Sequence, residues 1–197
     1  MVEAFRPVDR AAVEGCLDEL GLRLTLAVAD ADGDPAAEAK TLGFLLGEQE
    51  DFRGAPADEF SDPESSFIDT VLRRRRGLPI VVSAVYLEVA RRAGVRLGGI
   101  GYPGHYLVAH FGTVPPLVLD PYRGGCPAGV HVPPSMLASQ AAPAIVHRML
   151  NNLESVFMAR GAFAEAARTA EMRSLLVPPD SRPAYRTRAR RLSARLN

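Results

Sequence analysis

The stretch GLPIVVSAVYLEVARRAGVRLGGIGYPGHYLVAHF, residues 77–111, joins a long apolar segment to a short run that begins with a histidine. Pro79 is favoured in the first turn of a helix, and Gly94 is typical of the residue that ends one. Between them, apolar residues recur at helical spacing, at Val82, Val85, Tyr86 and Val89. The stretch therefore predicts a largely buried helix, a turn, and a β-strand that starts at His105.

Two further β-like runs flank that histidine. The run VRLGGIGY precedes it, and the run PLVLDPY follows after the connection GTVPP, which is typical of a hairpin. Glycine and proline before His105 place it at the mouth of its strand, and Asp120 ends the last run. Because a short hairpin can bring the two strand ends together, we expect the Asp120 carboxylate to orient the His105 imidazole, as in nucleophile–histidine–acid triads.

The rest of the chain is predicted to be mainly helical. A first helix is expected after Asp9, and a second short helix leads into an irregular loop. A third helix, capped near Asp62 or Ser65, is expected to end at Gly77. Beyond residue 133 two helical stretches meet at Gly161, and an arginine-rich helix follows. We predict a main domain over residues 1–135 and a helical appendage over 136–197, packed on it.

Composition narrows the class of protein. The chain has 197 residues, with 23 basic and 23 acidic side chains, so its formal charge gives no reason to expect nucleic acid or an anionic membrane as a partner. Its two cysteines, Cys16 and Cys126, do not have the spacing of a metal site or a disulfide framework. No signal-like or membrane-spanning apolar run is apparent. We expect a cytoplasmic protein without a metal or cofactor.

The order of these segments resembles the SirB-type N-terminal transglutaminase-like family, within the papain-like cysteine hydrolases. The residues that carry the resemblance span about 44–176 and read FRG, DPESSFIDTVLRRRRGLPIVVSAVYLEVARRAG, GYPGHYLV, LDPYRGG and HRMLNNLESVFMARGAFAEAARTAE. The resemblance implies an α+β fold with a helical N-terminal lobe, a central helix on an antiparallel sheet, and tetratricopeptide-like C-terminal helices. It also implies His105 and Asp120 as the counterparts of the family's catalytic pair.

The nucleophile is where this sequence departs from the family. Active relatives begin the central helix with Gly-x-Cys, but here the start reads GLP, so Pro79 stands in the cysteine's place. Ser83 is the nearest hydroxyl, one turn and roughly 6 Å deeper along the helix. We interpret it as a helix residue bonded to the carbonyl one turn back. A register shifted by one turn would instead give a Ser83–His105–Asp120 triad, and a mobile loop carrying Cys126 is a further alternative.

Three hypotheses about function follow. The first is a catalytically degenerate transglutaminase-like domain that binds a protein, a peptide or a small molecule in a regulatory role. The second is a hydrolase or amidotransferase that uses Ser83, or Cys126, with His105 and Asp120. The third treats these residues as purely structural. Under the first, we expect four residues to converge with His105 in one ligand-binding cleft: Tyr102, Gly104, Tyr122 and Arg123.

Overall fold

The computed structural model describes residues 5–196, so residues 1–4 and Asn197 lie outside the described part of the chain. The expectation that the N-terminus has no signal-like run falls partly on those residues, and the domain boundaries stay predictions. The helices are α1 (Arg10–Ala27), α2 (Pro35–Gly43), α3 (Ile68–Arg74), α4 (Pro79–Ala93), α5 (Ala142–Ala159), α6 (Phe163–Leu175) and α7 (Arg182–Ser193). The strands are β1 (Arg53–Gly54), β2 (Arg76–Gly77), β3 (Leu97–Tyr102), β4 (His105–His110), β5 (Leu117–Asp120) and β6 (Cys126–Pro127).

The N-terminal helix forms where its cap and its apolar spacing predict it. The Asp9 side chain accepts a hydrogen bond from the backbone N–H of Ala12 at 3.0 Å, so α1 begins at Arg10. Its buried residues belong to the main core that also contains α4; they include Leu17, Leu20 and Leu24. Gly21 permits close packing, because a β-carbon there would lie 2.5 Å from the β-carbon of Arg92 on α4.

The central helix α4 begins at Pro79 and ends at Gly94, as predicted. Gly94 has φ of 74°, a conformation that costs glycine little, and it terminates the helix. The buried residues of α4 lie on more than one side of the helix: Ile80, Val81, Val82, Ser83, Val85, Tyr86, Val89 and Ala90. The helix is therefore enclosed by α1 on one side and by β3 and β4 on another. This enclosure fixes its N-terminal end relative to the sheet.

Four antiparallel strands form the main sheet in the order β3-β4-β5-β6. One face, with Tyr106, Val108 and Leu119, joins the core around α4. The other face has a smaller apolar cluster, in which Ile100 and Leu107 are fully buried. The three predicted strands are confirmed, whereas β6 and the parallel pair β1–β2 were not predicted. Strands of two residues leave no alternation that a sequence pattern can detect.

The third helix differs from its prediction at both ends. Asp62 caps a 3₁₀ turn, where its side chain accepts from the N–H of Glu64, and α3 itself starts only at Ile68. The helix ends at Arg75, which has φ of 59°, rather than at Gly77. Gly77 instead pairs with β1, and a β-carbon there would lie 2.4 Å from the Val71 side chain. The glycine is needed for close packing and not for a helix end.

The C-terminal helices contact the segment around α3 and the central helix α4. Gly161, with φ of 69°, separates α5 from α6. A second apolar cluster joins the two parts, because Phe67 beside α3 packs with Leu153 and Phe157 of α5. The predicted α+β architecture is thereby confirmed, whereas the tetratricopeptide-like character of the helices stays a prediction. Within residues 5–196, no helix has the length and apolar composition needed to cross a membrane.

Candidate functional site

His105 and Asp120 meet at one end of the sheet. His105 is the first residue of β4 and Asp120 is the last of β5. The register Val108↔Leu119, continued by one residue, places Asp120 opposite Leu107 and on the same face as His105. The His105 Nε2 lies 2.9 Å from the Asp120 Oδ1, which is a hydrogen-bond distance. The prediction that the two side chains are hydrogen-bonded is confirmed.

One oxygen of the Asp120 carboxylate takes part in two hydrogen bonds. Its Oδ1 also accepts from the backbone N–H of Tyr122 at 3.0 Å, and its side chain is only 8% exposed. An ionised carboxylate accepts hydrogen bonds but donates none, so in the neutral imidazole Nε2 carries the proton and Nδ1 is left as an acceptor. Asp120 thus orients the His105 ring through Nε2, and the Nδ1 lone pair can accept a hydrogen bond.

A cleft of about 330 Å³ lies beside His105, whereas Asp120 is not part of its lining. It is lined by Phe60, Leu78, Pro79, Ile80, Gly104, His105, Tyr106, Arg148, Asn152, Ser155 and Val156. Pro79 and His105 thus share one cavity, which agrees with the predicted register of the helix start. Burial raises the pKa of Tyr106 to about 12, with the Arg148 guanidinium opposing this shift, so the phenol stays neutral. Its hydroxyl donates to the side-chain carbonyl of Gln140 at 3.0 Å.

The four residues predicted to bind a ligand do not all converge on this cleft. Gly104 lines it. Tyr122 packs edge-on against the imidazole, with 5.6 Å between ring centroids. Tyr102, Tyr122 and Arg123 lie outside the lining. Tyr102 packs on the apolar cluster of the outer sheet face, and Arg123 is 72% exposed beside Asp120. Of the four, only Gly104 shares the cleft lining with His105.

Tyr122 is held in place by the loop that contains β1. Its hydroxyl donates to the carbonyl of Ala55 at 2.9 Å. Its ring lies so close to Gly54 that a β-carbon there would be 1.8 Å from a ring atom. The ring therefore forms a fixed wall beside His105, and Gly54 is the residue that leaves room for it.

Ser83 is separated from the cleft. It is 0% exposed, and its hydroxyl donates to the carbonyl of Tyr106 at 3.3 Å. The partner is thus a residue of β4 and not the carbonyl one turn back, so that part of the prediction is wrong. The hydroxyl is nonetheless satisfied within the core, and Ser83 is not among the residues that line the cavity shared by Pro79 and His105.

Neither cysteine lies between Pro79 and His105. Cys126 is exposed on β6, directly across from Asp120. Since β5 lies between β4 and β6, the carboxylate strand separates this thiol from the imidazole strand. Cys16 is half-buried against the main core. Among residues 5–196, no group of three or more histidine, cysteine and acidic side chains is arranged to hold a metal ion.

The residues that α5 contributes to the cleft were not predicted. Arg148, Asn152 and Ser155 line it at helical spacing, so they occupy one face of that helix. Their spacing is visible in the sequence, but nothing local indicates which surface that face covers. Polar residues at this spacing are a weak signal, because His147, Asn151 and Glu154 of the same helix are also polar.

Sequence comparisons show that this chain is similar to proteins from bacteria and mammals. A UPF0162 protein of Xylella fastidiosa (strain 9a5c) is 37% identical over 139 residues, which cover 61% of this chain and 50% of the relative. A UPF0162 protein of Vibrio cholerae is 25% identical over 138 residues, covering 62% and 51%. F-box only protein 21 of Mus musculus is 36% identical over 67 residues, covering 34% and 10%.

The chain spans about half the length of the bacterial relatives that it matches. No solved structure matches it. The family model described as the transglutaminase-like superfamily matches residues 11–156, which include the central helix, the histidine strand and the aspartate strand. Because that match covers well over half of the sequence, the chain belongs to the transglutaminase-like superfamily.

Proposed function

We propose that this chain is a catalytically degenerate transglutaminase-like domain whose cleft binds a peptide or protein segment in a regulatory role. The observation that carries the proposal is the composition of the cleft wall. Pro79, at the start of α4, faces the same cavity as His105. Proline has no group that can attack a carbonyl, so the imidazole and its carboxylate face a helix start that supplies no nucleophile.

The serine alternative has weaker support. A nucleophile must reach about 2.6–3.2 Å from its base. The Ser83 hydroxyl is enclosed in the core and already donates to a backbone carbonyl of β4. Its use as a nucleophile would require that bond to break and the hydroxyl to reach the cleft. Cys126, on the far side of the carboxylate strand, has no better position.

The cleft has features of a binding site for an uncharged segment. Its volume of about 330 Å³ is in the range of ligand pockets. Apolar walls come from Phe60, Leu78 and Val156, and the His105 Nδ1 offers an acceptor to a backbone N–H. The Asn152 amide, which α5 contributes to the lining, can both donate and accept. These groups match the alternating donors and acceptors of a peptide backbone. The Arg148 guanidinium, which also lines the cleft, donates to the Tyr102 and His105 carbonyls.

The binding proposal is tested with a pool of N-acetylated, C-amidated hexapeptides, followed by ¹H–¹⁵N NMR titration. We expect amide shifts confined to residues that line the cleft. Asn152→Trp should fill the cleft and reduce binding by at least about tenfold, the loss of about 1.4 kcal/mol of binding energy. Asn151→Trp is the matched control, since the Asn151 side chain is exposed and lies outside the lining. Equal binding by the two variants would contradict the proposal.

The same protein is assayed for catalysis. We expect no transfer of a fluorescent primary amine to casein and no hydrolysis of capped peptides, with or without prior alkylation of Cys126. Turnover that Ser83→Ala abolishes would establish the serine-dependent alternative instead. A cytoplasmic location, and the absence of nucleic-acid and membrane partners, stay predictions from the sequence.

A further inference from the structure

The hairpin that carries His105 has a two-residue loop that cannot adopt the turn types usual in tight hairpins. Tyr102 and His105 pair across the strands, so Pro103 and Gly104 form the loop. Types I′ and II′ both need positive φ at the first loop position, whereas proline holds φ at about −65°. Gly104 has φ of 69°, so the loop has the proline–glycine combination of a type II turn. Such a turn splays the strands that flank it.

Arg148 of α5 joins the two strand ends at this turn. Its Nη2 donates to the carbonyl of Tyr102 at 3.1 Å and to the carbonyl of His105 at 2.7 Å. The guanidinium also lies over the Tyr106 ring, 5.2 Å from its centroid. One donor group therefore holds carbonyls on both sides of the loop, which opposes the splay that the turn favours.

We propose that Arg148 is a positioning residue for His105. By clamping the Pro103–Gly104 turn, it keeps the first residue of β4 in line with the Asp120 carboxylate. The Nε2–Oδ1 distance of 2.9 Å is near the optimum for a hydrogen bond. Because such bonds weaken steeply with misalignment, splaying the strand end would loosen the imidazole. The proposal rests on the proposed function only in treating His105 as a polar residue of the binding cleft.

The clamp makes the site depend on the C-terminal helices. The face of α5 next to Arg148 is anchored by Leu150 and Leu153, which are almost fully buried. Undocking α5 would remove both the clamp and the cleft wall that carries Asn152. The helical appendage is on this account part of the site's construction and not only a neighbour of it.

The test reads the imidazole directly, so its outcome does not depend on whether the cleft binds peptides. Long-range ¹H–¹⁵N spectra are recorded at about pH 8.5, where an ordinary imidazole is neutral. In the unmodified protein we expect a single tautomer of His105 with its proton on Nε2. In Arg148→Met we expect averaging of both tautomers and at least about tenfold faster exchange of the Nε2 proton, as the loss of a charged hydrogen bond implies.

Two further variants separate positioning from general loosening of α5. Arg160, the residue that follows α5, donates to the Ser61 carbonyl at 3.2 Å. Arg160→Met removes that bond and should leave the His105 tautomer unchanged. Arg148→Lys keeps a charged donor and should recover part of the protection. An Arg148→Met spectrum identical to that of the unmodified protein would overturn the proposal. So would an equal effect of Arg160→Met, or no recovery in Arg148→Lys.

Discussion

Replacing Glu154 with alanine is expected to lower the free energy of unfolding by about 3–5 kcal/mol. Glu154 is 1% exposed, and its carboxylate accepts from the Arg173 Nη1 at 2.6 Å and from the Arg188 Nε. It therefore joins α5 to both α6 and α7. The Arg173 side chain is only 10% exposed, so removing the carboxylate leaves a buried cation without its partner. That uncompensated charge, and not the loss of packing alone, makes the expected effect large.

Urea unfolding with matched variants measures this effect. Glu171→Ala, an exposed acid on α6, should change the midpoint very little. Arg188→Ala should cost less than Glu154→Ala, because the Arg188 side chain is 53% exposed and Arg173 still pairs with the carboxylate. Equal stabilities for Glu154→Ala and Glu171→Ala would show that the ion-pair cluster does not hold the C-terminal helices together.

Gly47→Ala is expected to lower stability by about 3 kcal/mol, at the upper end of the usual cost of overpacking. A β-carbon at this position would lie 1.8 Å from the carbonyl oxygen of Gly124. One helical turn earlier, a β-carbon at Gly43 would lie 2.6 Å from the carbonyl oxygen of Gly125. Both contacts are with backbone, which cannot rotate away as a flexible side chain can. The loop after Asp120 thus packs its backbone against Gly43 and Gly47, which lie one turn apart on α2 and the helical turn Phe44–Gln49 that continues it.

Gly15→Ala is the matched control for that substitution. Gly15 lies inside α1, and a β-carbon there has nothing within 4 Å. Alanine should therefore raise stability by about 0.5–1 kcal/mol through its helix propensity alone. Thermal unfolding of both variants should give shifts of opposite sign. Shifts of the same sign would contradict the close backbone packing at Gly47.

Local signals predicted the part of the fold that lies around the central helix. Pro79 and Gly94 mark the two ends of α4 because each acts through its own backbone geometry, whatever surrounds it. His105 was placed at the start of its strand by the glycines and proline before it. The His105–Asp120 bond was predictable because a short hairpin fixes which residues lie close together.

Features that depend on contacts between distant segments could not be predicted. Arg148 has no local pattern that identifies the turn on which its helix lies, 43 residues away from His105 in sequence. Arg75 follows α3 in a left-handed conformation, which normally favours glycine. The nearby Gly77 is used for close packing against Val71 instead. Ser83 was predicted to bond within its helix, but its hydroxyl donates to the Tyr106 carbonyl of β4.

The central claim is that Pro79 occupies the nucleophile's position in front of an intact histidine–aspartate pair. Pro79→Cys tests it most directly, with iodoacetamide labelling of residue 79 followed across pH by peptide mass spectrometry. An ordinary thiol has a pKa of about 8.5, and a neighbouring imidazolium and a helix N-terminus both stabilise the thiolate. We expect the labelling midpoint of Pro79→Cys to fall below about pH 8.5 and to rise when His105→Ala is added. Identical midpoints with and without His105 would contradict the account.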